Sequence, residues 1–489
     1  MNILVTAAEI TPFAKAGGLA DVVASLSKEW SLLGHNVIVV IPKYGMIDLT
    51  LYSITPTNII IEVPMGYWKE YARLWKGKIP GSDVDVYFLE SADYFDRRGI
   101  YGDREGYTDN HKRFTFLSRA AFEVAKALNF KPDILHAHDY HTSLALAFLK
   151  IFYKYDPLFS KTAGVYTIHN MGYQGQYLPS TILPLMGVNT RDFYAGSWYE
   201  HDGIFNSMKV GIMFADKVTA VSPTYAKEIR WTSLGEGMQP YLNSKGGDVI
   251  GILNGTDYTE WNPELDDLIY KQYTQNDLET KEHNKQLFLK EHCPQQKTLS
   301  YDVPLVGMVA RLTKQKGIDV LEQILESYLY AGVFRFAVLG SGEKRFEDYF
   351  RYLERKYSDR VIVHLGYNNA LSHKIIAASD FLMMPSLYEP CGLTQMYALK
   401  YGTVPIVRST GGLSDTVLEY NRNTSQGTGF LFYGYNAHDL GLTVNRALSV
   451  YKTHPHWNII RTNGINADFS ASRSAEEYIK AFQWALEKV

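Results

Sequence analysis

The feature that most constrains this chain is an alternation, run through twice, of short β-branched runs with longer amphipathic stretches. In the first half Ile3 to Thr6 precedes Leu19 to Leu33, Val37 to Ile41 follows, and Asp133 to His136 later precedes Leu144 to Phe152. Runs too short for helices, separated by stretches of helical spacing, indicate a parallel sheet with crossover helices. Gly164 to Ile168 and Lys217 to Val221 read as further strands of that sheet. A less regular stretch then runs from Asn254 through Trp261-Asn262-Pro263 to about Ser300, with Gly, Pro and many charges. Beyond it the alternation starts again. Val303 to Ala310, Phe334 to Leu339, Val361 to Leu365, Phe381 to Pro385 and Val404 to Val407 read as strands. Ile318 to Leu329 reads as a helix with Leu321, Ile324, Leu325 and Tyr328 on one face. Two doubly wound α/β domains are expected, with the change at residue 254.

A length of 489 residues exceeds what one core usually organises, so two domains with a cleft available between them fit that pattern. Hydrophobic residues make up 46% and charged residues 21%, the balance of a soluble globular protein, and no apolar run is long enough to span a bilayer. No membrane partner is expected. A net charge of -3 excludes a strong overall attraction to nucleic acid, while leaving room for local basic clusters that neutralise a diphosphate. Cys293 and Cys391 have neither zinc-site nor disulfide-framework spacing, which fits a reducing compartment. The N-terminus reads at once as a strand, without a basic leader, so a cytoplasmic protein is expected.

Several segments carry chemistry. Arg311-Leu312-Thr313-Lys314-Gln315-Lys316-Gly317 lies between a strand and a helix, where open α/β sheets bind ligands. Three cations on one loop suggest an anion, which Arg grips through paired hydrogen bonds and Lys meets as a mobile charge; the alternative is a solvated basic loop. Ser386 to Gln395 is a second strand-to-helix loop, with the helix expected near Leu393. There the helix amides and the Thr394 hydroxyl could hold phosphate oxygens, while Glu389 either hydrogen-bonds a sugar or caps the helix. His136-Ala137-His138-Asp139-Tyr140-His141 and Tyr166-Thr167-Ile168-His169-Asn170 both end strands. Their histidines suggest a metal, but the turn expected at His138-Asp139 and the lack of a helix-borne His-Glu-x-x-His pattern argue against one, so no metal is expected. Gly17-Gly18-Leu19-Ala20-Asp21-Val22, which follows Lys15-Ala16, is echoed by Gly411-Gly412-Leu413-Ser414-Asp415-Thr416, and each double glycine is expected to open a helix.

These motifs, in this order, resemble those of the bacterial and plant glycogen and starch synthases. The likeness runs almost end to end. It includes Lys15 to Asp21, His136 to His141, Thr167 to Gly175, Asn254 to Tyr258, Arg311 to Gly317, Gly366-Tyr367, Glu389 to Gln395 and Ser409 to Thr416. The resemblance implies the GT-B fold, two doubly wound Rossmann-like α/β domains facing across a deep cleft. Residues 1–253 would form the N-terminal, acceptor-side domain, completed by a tail over 469–489, and 254–468 the nucleotide-sugar domain. It implies retaining glucosyl transfer from ADP-glucose, or less often UDP-glucose, to the non-reducing end of an α-1,4-glucan or maltooligosaccharide, with no metal or other cofactor. By position, Arg311 and Lys316 would stabilise the departing diphosphate, Leu393 and Thr394 would bind it, and Tyr367 would lie against the base. Glu389 would hold the donor glucose, His169 would contact its hydroxyls, and Asp139 and Lys15 would line the reacting centre, with Gly18 in the donor-binding turn. Two positions depart from the family pattern: Tyr140 and Ala471 each stand where Trp is usual. The alternatives are a non-catalytic glucan-binding member and a same-fold transferase using UDP-glucose or another acceptor. The sequence assigns no oligomeric state.

Overall fold

The computed structural model describes residues 1–103, 105–293 and 302–489. The end of the irregular stretch, residues 294–301, lies outside them. The chain divides into two compact units, one formed by Met1–Gly255 with Ala471–Val489, the other by Thr256–Ser470.

The strands of the first unit are β1 (Asn2–Thr6), β2 (Asn36–Pro42), β3 (Thr55–Met65), β4 (Trp68–Lys78), β5 (Asp85–Glu90), β6 (Ile134–His138) and β7 (Ala163–Ile168). Short β8 (Gln176–Tyr177), β9 (Glu200–His201) and β10 (Ile204–Asn206) form a small separate sheet, and β11 (Lys217–Ala220) and β12 (Val249–Gly251) complete the main one. Its order is β12-β11-β7-β6-β1-β2-β5-β4-β3, parallel from β12 through β5. The central strands read as unbroken apolar runs because helices cover both faces; Ile3, Leu4 and Val5 are all fully buried. The helix Gly18–Leu32 follows β1 and buries Leu19, Val22, Val23, Leu26 and Trp30, a single face at helical spacing. β3 and β4 differ: they join β5 as an antiparallel hairpin at the sheet edge.

The second unit holds β13 (Leu305–Val309), β14 (Arg335–Gly340), β15 (Val361–Leu365), β16 (Phe381–Met384), β17 (Val404–Arg408) and β18 (Phe430–Phe432). These form a wholly parallel sheet in the order β15-β14-β13-β16-β17-β18. The helix Ile318–Ala331 buries Ile318, Leu321, Leu325 and Leu329 and stops at Gly332, whose φ of 65° suits only a residue without a Cβ.

The last helix, Ala471–Leu486, belongs to the first unit. Its Ala475, Tyr478, Ala481, Phe482 and Ala485 lie in that unit's core, and Trp30 Nε1 donates to Ala475 O at 3.3 Å. Ala471 is itself buried. Where the chain enters and leaves the second unit its two segments pair, Thr256 N donating to Phe469 O at 2.7 Å.

Candidate active site

Both sheets carry the loops singled out in the sequence at one topological place. In an open parallel sheet, loops on either side of the point where strand order reverses leave a crevice at the carboxyl ends, and ligands bind there. The reversal falls between β13 and β16 in the second unit, and between β1 and β6 in the first.

In the second unit, Arg311–Gly317 follows β13 and Pro385–Leu393 follows β16. They are pressed together: Gly317 has φ 75°, and a Cβ there would stand 1.9 Å from the Pro385 carbonyl oxygen. Leu387 N donates to Gln315 O at 2.8 Å. Across this seam Lys316 Nζ lies 2.6 Å from Glu389 Oε2, which also accepts from Ser386 Oγ at 3.0 Å. Glu389 is 5% exposed, so its charge is met by protein groups. Glu389 therefore does not cap the following helix. That helix, Thr394–Lys400, has Leu393 at its N-cap and no side-chain cap. Gln395 Nε2 instead reaches back to Cys391 O at 3.0 Å and Gly392 O at 2.9 Å, fixing the turn before it. A third loop, after β17, closes on the second, with Gly412 N donating to Glu389 O at 3.1 Å. Arg311 bonds to Gln315 Oε1 at 3.4 Å in an exposed setting. Tyr367, 78% exposed after β15, lies on the same edge of the sheet but is joined by no described contact to Lys316 or Glu389.

In the first unit, the loop after β1 brings Lys15 to Asp21 at 2.7 Å, and Thr11 Oγ1 donates to the same Asp21 oxygen at 2.8 Å. Gly17 is the N-cap and Gly18 the first residue of the next helix. The turn is braced by a residue that sequence reasoning missed. Glu9 Oε2 accepts from the amides of Ala16 and Gly17, while Tyr101 donates its hydroxyl to Oε1 at 2.8 Å. Burial pushes the Glu9 carboxyl above the usual carboxylate range. Tyr101 also stacks on His141, ring centres 4.5 Å apart, so it touches the loop after β6 as well. No spacing in the sequence announces Glu9, because its partner Tyr101 is 92 positions away.

After β6, Asp139 adopts φ 51°, a strained conformation for a residue other than glycine. That turn carries its carboxylate to the end of β7, where Oδ1 accepts from His169 N at 2.7 Å and Asn170 N at 3.3 Å. Burial raises the Asp139 carboxyl to about 7, and the Glu9 charge adds to the effect. His136, His141 and His169 are lowered to about 3, chiefly by burial. His138 Nδ1 lies 3.0 Å from His169 Nε2, and His136 Nε2 lies 2.7 Å from Thr167 Oγ1. Among the described residues no group of three or more His, Cys, Asp and Glu gathers to hold a metal ion. Tyr140 packs edge-on to Phe114 at 5.8 Å.

Comparison with known proteins gives this arrangement a family. Residues 2–244 match the model of the starch synthase catalytic domain, and residues 290–460 that of glycosyl transferases group 1. The chain is 41% identical over 483 residues to glycogen synthase of Bacillus subtilis (strain 168), covering 99% of this chain and 98% of that one. The chain belongs to the glycogen and starch synthase family. A second member, glycogen synthase 1 of Geobacter sulfurreducens, is 41% identical over 492 residues, with 100% of this chain and 97% of the relative covered. Among solved structures, the catalytic domain of starch synthase IV from Arabidopsis thaliana, bound to ADP and acarbose, superposes with a TM-score of 0.91 at 32% identity, covering 99% of each chain. This synthase-family chain is a glucosyltransferase of GT-B type.

Proposed function

We propose that the protein extends an α-1,4-glucan at its non-reducing end with glucose from ADP-glucose, retaining the anomeric configuration. The observation that carries this reading is the partly buried Lys316–Glu389 pair at the strand-order reversal of the second unit, in a chain related over its whole length to glycogen synthases. The Arabidopsis relative bound to ADP and acarbose supports a nucleotide-sugar donor and a glucan acceptor. In this reading Arg311, Lys316 and the helix start at Leu393 and Thr394 meet the diphosphate, Tyr367 lies against the base, and Glu389 holds the glucose. Lys15, Gly18, Asp139 and His169 attend the reacting sugar. Negative charge grows on the leaving diphosphate while the sugar gains oxocarbenium character, and fixed charges are the groups that favour such a state over the substrate. Arg311 and Lys316 supply the positive charge, so the reading assigns no metal or other cofactor.

Retention asks how one face of the sugar is used twice. Asp139 is engaged by two amides and Glu389 by Lys316 and Ser386, so each carboxylate acts as a fixed partner more readily than as a nucleophile. We therefore favour front-face displacement. The bond from the anomeric carbon to the phosphate oxygen breaks, the acceptor oxygen bonds to the same face, and its proton passes to the departing phosphate. A trapped glucosyl-enzyme adduct would overturn this step.

A reducing, cytoplasmic setting fits Cys293 and Cys391, both buried and neither joined in a disulfide. No described helix is long and apolar enough to cross a membrane. The deciding experiment is nucleoside diphosphate release from ADP-glucose and from UDP-glucose, each with and without glycogen, in wild type, Glu389→Ala and Lys316→Ala. Glycogen-dependent ADP release, lowered in both variants by about 10²–10³-fold, is expected. Release from neither donor, with glycogen binding intact, would favour a non-catalytic glucan-binding role.

A further inference from the structure

Of the four histidines at the ends of β6 and β7, His169 is half-buried, whereas His136, His138 and His141 are buried. His138 Nδ1 faces His169 Nε2 at 3.0 Å. The other ring nitrogen of His138, Nε2, is enclosed with no protein group within hydrogen-bond reach. Burial holds both rings well below their ordinary value of 6.5, so each is neutral at pH 7 and carries one proton.

Two facing ring nitrogens at that distance need a single proton between them. With none, lone pairs repel; with two, hydrogens collide. If His169 supplies the proton, His138 must keep its own on Nε2, burying an N–H with no acceptor. If His138 supplies it from Nδ1, only a lone pair is left unmet at Nε2. An orphaned buried donor is the rarer and costlier outcome. His136 follows the same rule, since its Nδ1 is enclosed without a partner while Nε2 faces Thr167 Oγ1 at 2.7 Å. Thr167 then donates onward to Thr219 Oγ1, 2.7 Å away.

We propose that His138 is a positioning residue that fixes His169 as the Nδ1–H tautomer, so that His169 offers a hydrogen-bond donor, and no lone pair, to an oxygen of the transferred sugar. With Nε2 occupied, Nδ1 is the ring nitrogen left for a ligand. The site thereby demands an acceptor at that point of the substrate. The sugar's place in this inference rests on the function proposed above; the tautomer does not.

The test is a long-range proton–nitrogen spectrum of the full chain labelled with nitrogen-15 histidine, without substrate, the His169 signals being those lost in His169→Gln. Protonated Nδ1 and bare Nε2 on His169 are expected; the reverse overturns the assignment. In His138→Leu, where the internal donor is gone, His169 is expected to relax toward the Nε2–H form and turnover to fall about 10- to 100-fold, with ADP affinity unchanged by calorimetry. His138→Asn, which restores a donor near the same place, is expected to recover most of that loss. Wild-type turnover and an unchanged His169 tautomer in His138→Leu would overturn the proposal. Because the spectrum needs no substrate, and its assignment needs only that His169→Gln folds, a wild-type protein without transferase activity would sink the functional reading alone.

Discussion

Glu389 and Lys316 hold each other in a setting where neither is easily replaced. Removing one partner of a buried ion pair strands the other, at a cost of about 3–5 kcal/mol when both are fully enclosed. Lys316 keeps 17% of its side-chain surface in contact with solvent, so water offsets part of that. Lys316→Ala is expected to destabilise the second unit by about 1–3 kcal/mol in urea unfolding, and its turnover to fall further than the folded fraction explains. Asp139 gives a prediction of opposite character. Its folded carboxyl titrates at about 7 against 3.8 for the free group, so between those values the folded protein holds a proton that the unfolded chain has lost. Its contribution to stability is complete below pH 3.8 and disappears as pH rises toward 7. Asp139→Asn cannot ionise and should gain on wild type by a few kcal/mol across that window, at about 1.4 kcal/mol per unit, then run parallel above it. Unfolding midpoints of both proteins at several pH values would show the gain, and a constant difference would count against it.

At the level of elements, the two double-glycine turns look alike in sequence and differ in what surrounds them. Gly411 has φ 45°, and a Cβ on it would lie 1.9 Å from the Glu389 carbonyl oxygen, whereas a Cβ on Gly17 would meet nothing nearer than Glu9 Oε1 at 3.9 Å. Gly411→Ala is expected to push the Glu389 loop aside, costing about 1–3 kcal/mol and most of the activity. Gly17→Ala should fold like wild type by circular dichroism. That contrast also marks what was legible beforehand. Strands buried on both faces announce themselves, and Val361–Leu365 was read to the residue. The β3–β4 hairpin escaped because its exposed Tyr71, Arg73 and Trp68 interrupt the apolar pattern. The loops bearing Arg311, Lys316 and Glu389 were legible through their place after strands, but that Glu389 turns away from the helix start was not, since its partner Lys316 lies 73 positions away. Glu9 escaped for the same reason.

For the whole molecule, the closing helix is the piece that makes the first unit complete. Tyr478 and Phe482 lie beside Trp30 at 5.8 and 5.0 Å and beside His136 at 5.5 and 5.4 Å, so the helix seals the inner end of the histidine row described above. Phe482→Ala is expected to destabilise the first unit by about 3–5 kcal/mol while the unfolding of residues 256–470, followed through a probe placed there, stays as in wild type.

The second unit is one continuous stretch, and the first is split around it. On the ribosome this sets an unusual timetable: residues 256–470 are all present, and free to fold as a unit, before the helix that the earlier-made domain still lacks has been translated. The domain begun first is finished last. A premature stop near residue 470 would spare the half made later and cripple the half made earlier, and the missing helix supplied as a separate peptide should be able to mend it.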